Sequence, residues 1–336
     1  MTTELDLTII IVNWNSAAFA RKCLSSIYQN TRTIRFEVIV IDNASHDGCG
    51  VMIERDFPAA RFIQSADNSG FARANNLGFQ HSSGRNTLFL NPDTEVVGPA
   101  IERLVQFLDA TPHAGVVGAR LLNSDHSIQT SCIQRYPTLL NQVLDTDFLR
   151  ERFPNWPLWG MQPLLDSPDR DAPVEVVSGA CQMIRRGVFE QVGFYDTSYF
   201  MYAEDVDLCF KAEQAGLQNY FVGDAVVVHH GGRSSEATGG STFATVVMHE
   251  SRYKFFAHRR GKVEAQAYRA LMAFTALFRL GLLVGLLGLT LGFFRLKKIR
   301  ITIAKWTLVF RWAIGLESWA KTIGSSETLE HTTELT

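Results

Sequence analysis

Several short stretches of this sequence hold residue types suited to handling phosphate and hydroxyl groups. "RNTLFLNPDTEVVG" contains a short apolar run, Leu88–Leu90, that stops at Asn91-Pro92-Asp93. Turn chemistry alone explains an Asn, Pro or Asp there. An acid at the carboxyl end of a parallel strand also lies where open α/β sheets bind ligands. Pro92 cannot donate to a sheet ladder, so it ends the strand and pushes Asp93 out onto that edge. Further along, "YFMYAEDVDLCFKAEQAG" places Glu204, Asp205 and Asp207 at the opening of a helix. The helix dipole favours acids there. The aromatic run before them (Tyr199, Phe200, Tyr202) also makes a desolvated carboxylate with a raised pKa, fit for general-base work. His229 and His230 follow an apolar run and precede a glycine turn, a setting for metal or pyrophosphate contact.

The elements that position these residues are legible from periodicity. Apolar runs at Leu7–Val12, Phe36–Ile41, Ala60–Gln64 and Thr87–Leu90 read as strands. Helical spacing covers Ser16–Tyr28, Gly70–Gln80 and Ile101–Leu108. Strands alternating with helices of this length imply a doubly wound, mostly parallel α/β sheet. Each of the four strands leads into a polar cluster: Asn13-Trp14-Asn15, "DNASHDG" from Asp42, "DNSGFARANNLG" from Asp67, and Asn91-Pro92-Asp93. Four such clusters on one edge make a continuous rim on which a nucleotide would lie. "NWNSAAF" after the first strand has no GxGxxG, and the chain has no GxxxxGK[ST], so dinucleotide and P-loop modes are excluded. A divalent metal, Mg²⁺ or Mn²⁺, on Asp93 is the economical way to hold the phosphates.

The pattern breaks between Asp145 and Pro173, where prolines and "FPNWPLWG" mark either a functional lid or an ordinary surface insertion. It resumes with a strand at Val174–Val177, a helix at Asp205–Ala215 and a strand at Ala225–Val228. The five cysteines are widely spaced with no CxxC, which argues against zinc or a disulfide framework and for a reducing compartment. "MTTELDL" is not a signal peptide. Charge is unevenly spread: Arg252–Trp312 carries +12 and the remainder −14. A basic, apolar tail on an acidic body points to an anionic membrane surface and not to nucleic acid.

Together these residues resemble the family-2 glycosyltransferases of the GT-A fold, in their bacterial rhamnosyltransferase-like branch. The carriers are "TIIIVNWN", "VIDNASHDG", "NSGFARANNLG", "FLNPDTE", "VSGACQMIRRGVFEQVGFYD", "FMYAEDVDLCFKAEQAG" and "VVVHHGGRSS", which run in the family's order over about 70% of the chain. The resemblance implies an inverting, metal-dependent transfer of a sugar from a nucleotide donor to a glycan or lipid-linked glycan acceptor. The donor it implies is dTDP-L-rhamnose, with a UDP-sugar such as UDP-galactofuranose as the alternative. It implies nucleotide contacts at Asn13, Asp42, Asn68 and Gly70, and metal held by Asp93 and His229. Asn91 replaces the first acid of the family's Asp-x-Asp. Gly179 would allow close approach to the donor sugar. Asp205 would be the catalytic base, with Glu204 beside it. A sugar-phosphate nucleotidyltransferase would want a Gly-rich basic loop after the first strand, which "NWNSAAF" is not. A non-catalytic glycan-binding protein would not need Asp93, Asp205 and His229 together.

The expected organisation is a catalytic domain over 1–240, with a nucleotide-binding half to about 120 and an acceptor half to about 240. A helical region over 241–322 and a polar, disordered tail over 323–336 follow. Leu271–Phe294 is apolar enough to suggest a span, but Arg279 interrupts it and both flanks are basic. That favours a re-entrant or interfacial helix on the cytoplasmic membrane face. Gly281, Gly285, Gly288 and Gly292 share a stripe open to another helix, and a soluble helical hairpin that caps the catalytic domain or pairs two subunits is the alternative.

Overall fold

The computed structural model describes residues 5–144, 146, 149, 152–153, 156–161, 167–231, 241–289 and 296–323. All but the first residue of the expected tail at 323–336, all but the first residue of the "GGRSS" stretch after the two histidines, and Gly292 lie outside the described residues. The first half runs β1 (Leu7–Asn13), α1 (Ala17–Asn30), β2 (Phe36–Asp42), α2 (Cys49–Asp56), β3 (Arg61–Gln64), α3 (Phe71–Gln80), β4 (Asn86–Leu90), β5 (Thr94–Val97), α4 (Ala100–Ala110) and β6 (Ala114–Leu122). Then come β7 (Ile133–Gln134), α5 (Leu139–Leu144), β8 (Ala172–Val174), β9 (Val176–Val177), β10 (Cys181–Arg185), α6 (Arg186–Gln191), α7 (Glu204–Gln214) and β11 (Gln218–His229). Four helices close the chain: α8 (Ser241–Arg259), α9 (Lys262–Leu289), α10 (Leu296–Ala313) and α11 (Trp319–Thr322).

The main sheet has the order β3-β2-β1-β4-β10-β6-β11-β5. The first four strands are parallel and in the expected places. All of β1 is buried, as a strand covered on both faces must be. Antiparallel β10 is wedged between β4 and β6. Its residues "CQMIR" sit in a glycine-led stretch whose short apolar alternation does not stand out in sequence. Val174–Val177 is not one strand. Glu175 divides it, accepting the Tyr136 N–H at 2.7 Å, so that β8 joins the main sheet and β9 pairs with β7. The expected strand at Ala225–Val228 is the end of the longer β11, whose register with β6 shifts between Val222 and Val226.

A second apolar cluster joins α8, α9, α10 and α11 around Phe256, Tyr268, Met272 and Trp312. It is not a loose appendage. Phe255 of α8 belongs to the main core, and Arg259 at the end of α8 grips Asp207 of α7 with both nitrogens of one edge, Nη2 to Oδ2 at 2.9 Å. Asp207 is wholly buried and also accepts the Tyr199 hydroxyl.

On α9, the stretch Lys262–Gly285 is long and apolar enough to cross a membrane, with mean hydropathy 1.5 and 22% of it inside the protein. Phe274, Leu277, Phe278 and Leu282 form an exposed apolar row on it. Arg279 does not break this row. Its guanidinium turns inward, bonding the Val143 carbonyl at 2.8 Å and lying 4.2 Å from the Trp306 ring centre. Among the described residues nothing lies within 4 Å of a Cβ built on Gly281 or Gly285, so no described helix packs on that stripe there.

Candidate active site

The carboxyl ends of β1 and β2 are knitted together. Asn13 donates to Asp42 Oδ2 at 2.7 Å and to the Ser45 hydroxyl at 3.2 Å. Asp42 Oδ1 accepts the Ser45 N–H at 2.7 Å and the Gln64 amide at 2.9 Å. Asn13 and Asp42 are buried, so this network holds the loop after β2 against α1. Asp47 completes it by accepting the Ala17 N–H at 2.7 Å. Asn15 and Ala44, both non-glycine residues, adopt positive φ at these strand ends, and such strain clusters at ligand sites. Neither Ser45 nor Gln64 stood out in sequence, since hydroxyls and amides are common in turns.

Asn68 Oδ1 accepts the Gly70 N–H at 3.0 Å. At Gly70 φ is +82, and any Cβ would collide with the Phe200 carbonyl, which accepts the Phe71 N–H at 2.7 Å. Gly70 therefore lets the aromatic run before α7 dock onto the start of α3. This joins the two halves of the site.

Asp93 occupies the turn between β4 and β5 and is buried. The Thr94 hydroxyl closes that turn on the Asn91 carbonyl at 2.7 Å. β5 pairs with β11, which delivers His229 Nε2 to 3.3 Å from Asp93 Oδ1 and to 3.5 Å from the Asn91 amide. His230 takes another path. Its ring bonds Glu95 and Ser124, each at 2.8 Å, while its N–H donates to the Asp93 carbonyl at 2.9 Å. The histidine that faces the acid is thus His229. Among the described residues no group of three or more His, Cys, Asp and Glu side chains gathers as a metal cluster. Asp93 nevertheless fits a hard divalent cation whose remaining ligands are substrate phosphate oxygens and water, and His229 would add one nitrogen ligand.

From this turn a run of hydrogen bonds reaches α7. The Asn91 N–H donates to the Ala180 carbonyl at 3.0 Å, and the Gly179 N–H donates to Asp205 Oδ2 at 2.9 Å. Asp205 Oδ1 accepts the Val206 N–H at 2.8 Å. A Cβ on Gly179 would stand 3.0 Å from Asp205 Cβ and 3.2 Å from Oδ2. The close approach that Gly179 permits within this chain is therefore to Asp205. Burial raises the Asp205 pKa, and the Gly179 and Val206 N–H groups partly offset the rise. Glu204 is pushed well above the usual carboxylate range, first by burial and then by the neighbouring Asp205 charge, and its Oε2 is buried without a hydrogen-bond partner among the described residues. Tyr202 and Ala203, just before the helix, both have positive φ. Strained backbone thus presents the acid pair, while Asp207 one turn on is committed to Arg259.

The family model for glycosyl transferase family 2 matches residues 8–193, more than half of the chain. The chain belongs to this family. N-acetylglucosaminyl-diphospho-decaprenol L-rhamnosyltransferase of Mycobacterium tuberculosis is 29% identical over 268 residues, 75% of this chain and 84% of that one. Rhamnosyltransferase WbbL of Escherichia coli K12 is 20% identical over 264 residues, 75% of this chain and 93% of that one. Among solved structures, mannosyltransferase PcManGT of Pyrobaculum calidifontis, in complex with GDP-Man and Mn²⁺, is similar in fold with TM-score 0.57 and 19% identity over 94% of this chain and 87% of that one. The family-2 chain is therefore a glycosyltransferase of rhamnosyltransferase-like sequence on a mixed α/β fold with a mostly parallel central sheet.

Proposed function

We propose that this glycosyltransferase is inverting and metal-dependent, and that it moves L-rhamnose from dTDP-L-rhamnose to a hydroxyl of a lipid-linked or cell-envelope glycan. The observation that carries the chemistry is Asp205. It is a carboxylate of raised pKa that, unlike its neighbour Glu204, is fixed by two backbone N–H groups and coupled through Gly179, Ala180 and Asn91 to the Asp93 turn. One displacement needs one base. Asp205 takes the acceptor hydroxyl's proton as that oxygen attacks the anomeric carbon, and the nucleoside diphosphate leaves from the opposite face. Asp207 is excluded from this role by its ion pair with Arg259. Burial is what raises the Asp205 pKa, and the Asp205 charge in turn pushes its buried neighbour Glu204 higher, so that Asp205 is the one of the pair that ionises first. Asp93 and His229 would hold the cation, with Asn91 beside them, and a bound Mg²⁺ or Mn²⁺ would neutralise charge growing on the leaving diphosphate. Asn68 and Gly70 line the nucleotide edge, and Asn13 fixes Asp42 beneath it.

The rhamnose assignment rests on the names of the relatives, two of which are rhamnosyltransferases. A UDP-sugar donor, such as UDP-galactofuranose, is the second reading. The exposed apolar row of α9 together with the basic excess of Arg252–Trp312 supports peripheral attachment to the cytoplasmic membrane face. A panel of nucleotide sugars, with a prenyl-diphosphate-linked N-acetylglucosamine acceptor and with or without EDTA, tests the reading. Transfer from dTDP-L-rhamnose that EDTA abolishes supports it. Transfer only from another donor, or transfer indifferent to EDTA, overturns the donor or the metal assignment respectively.

A further inference from the structure

His229 Nδ1 lies 2.8 Å from Gln129 Oε1, and a string of bonds behind Gln129 fixes which way every proton points. The string starts at Asp125. The hydroxyl and N–H of Ser127, at 2.6 and 3.0 Å, hold the Asp125 carboxyl below its ordinary pKa, so this carboxylate only accepts. The Ser127 hydroxyl has therefore given up its single proton and must accept from the Asn123 amide at 2.9 Å. With its NH₂ committed, Asn123 presents Oδ1 to the Gln129 amide nitrogen at 3.1 Å. Gln129 is then left with its oxygen facing His229, so His229 must donate from Nδ1. The backbone holds this arrangement in place. Gln129 N–H bonds the Leu121 carbonyl at 2.9 Å, Asn123 N–H bonds the Ser127 carbonyl at 2.8 Å, and a Cβ on Gly231 would approach to 3.3 Å from Gln129 Nε2.

We infer that Gln129 is a positioning residue: it locks His229 as the Nδ1–H tautomer and leaves an unprotonated Nε2 that faces Asp93 Oδ1 at 3.3 Å, with the Asn91 amide nitrogen at 3.5 Å. A lone pair facing a carboxylate oxygen is unfavourable alone and favourable with a cation between them, so the lock prepares the site. Partners of this kind behind a ligating histidine typically change metal affinity by about 10–100-fold. The inference rests on the metal reading above only where affinity is measured; the tautomer stands by itself.

The test uses the full-length protein with ¹⁵N-histidine, observed by long-range ¹H–¹⁵N correlation without metal at a pH where the ring is neutral. His229 signals are assigned by their loss in His229→Gln. The wild type and Gln129→Glu, which keeps an acceptor, should show the proton on Nδ1. Gln129→Leu should move it to Nε2 and weaken Mn²⁺ binding by about 10-fold or more in titration calorimetry with dTDP present. An Nε2–H ring in the wild type, or an unchanged ring in Gln129→Leu, overturns the inference. Should the wild type bind no Mn²⁺, the metal reading fails and the ring signals still decide the tautomer.

Discussion

Replacing Asp205 by Asn removes the base while leaving its shape. Oδ2 and Oδ1 each accept one backbone N–H, at 2.9 Å from Gly179 and 2.8 Å from Val206. An amide keeps one acceptor, so one of these donors loses its partner, at a cost of about 1–3 kcal/mol. The substitution also removes a buried charge whose desolvation raised the pKa, and this offsets part of that cost. The folded state should therefore lose less than about 3 kcal/mol. The barrier suffers more: loss of a general base costs about 10²–10⁴ in rate, or roughly 3–5 kcal/mol of transition-state stabilisation. Donor binding should be nearly unchanged, because the base acts on the acceptor hydroxyl. Turnover of a lipid-linked acceptor, calorimetry with dTDP and a thermal melt separate the three effects. Turnover within threefold of wild type would refute the reasoning and move the base elsewhere.

Other perturbations test neighbouring parts of the site. Because burial raises the Asp205 pKa, and the base must be unprotonated to act, kcat/KM should fall as pH is lowered through a value above the ordinary aspartate pKa; an acid limb at or below that ordinary value would contradict this. Asp93→Ala should remove the Mn²⁺ enhancement of dTDP and UDP binding in titration calorimetry, and equal enhancement in mutant and wild type would exclude Asp93 as a ligand. Gly179→Ala puts a methyl 3.2 Å from Asp205 Oδ2, so kcat should drop about tenfold or more with little change in dTDP affinity; steady-state kinetics beside calorimetry read both. Arg259→Ala leaves the buried Asp207 with only the Tyr199 hydroxyl and Lys211 at 3.7 Å, and should cost about 3 kcal/mol, the lower end for a buried pair because those partners remain and Arg259 is partly solvated. Chemical denaturation of the full chain measures that loss.

The parallel half of the fold was open to reading because each strand there is a continuous apolar run closed by a polar turn, and β1, β2 and β4 fall where those runs fall. β10 and β6 were harder. A five-residue antiparallel strand beside a glycine turn has no distinctive period, and its place between β4 and β6 is a tertiary choice. Asp93, His229 and Asp205 were visible as acids and a histidine at element ends, and the structure brings the first two to 3.3 Å. The residues that orient them were not visible. Gln129 is 100 positions from His229, and its role depends on the bend of the chain between Asn123 and Gln129. Arg279 shows the reverse error: a charge that splits an apolar run in sequence turns its side chain to Val143 and Trp306 and leaves the outer face apolar.

The central claim is one displacement at the anomeric carbon with Asp205 as the base. The most direct measurement is the anomeric configuration of the sugar in the product, read by NMR of the glycan made from a donor of known configuration. The account predicts the configuration opposite to that of the donor, with wild-type yield lost in Asp205→Asn. A product that retains the donor's configuration would contradict it, because retention requires an enzyme nucleophile or front-face route that a lone base does not provide.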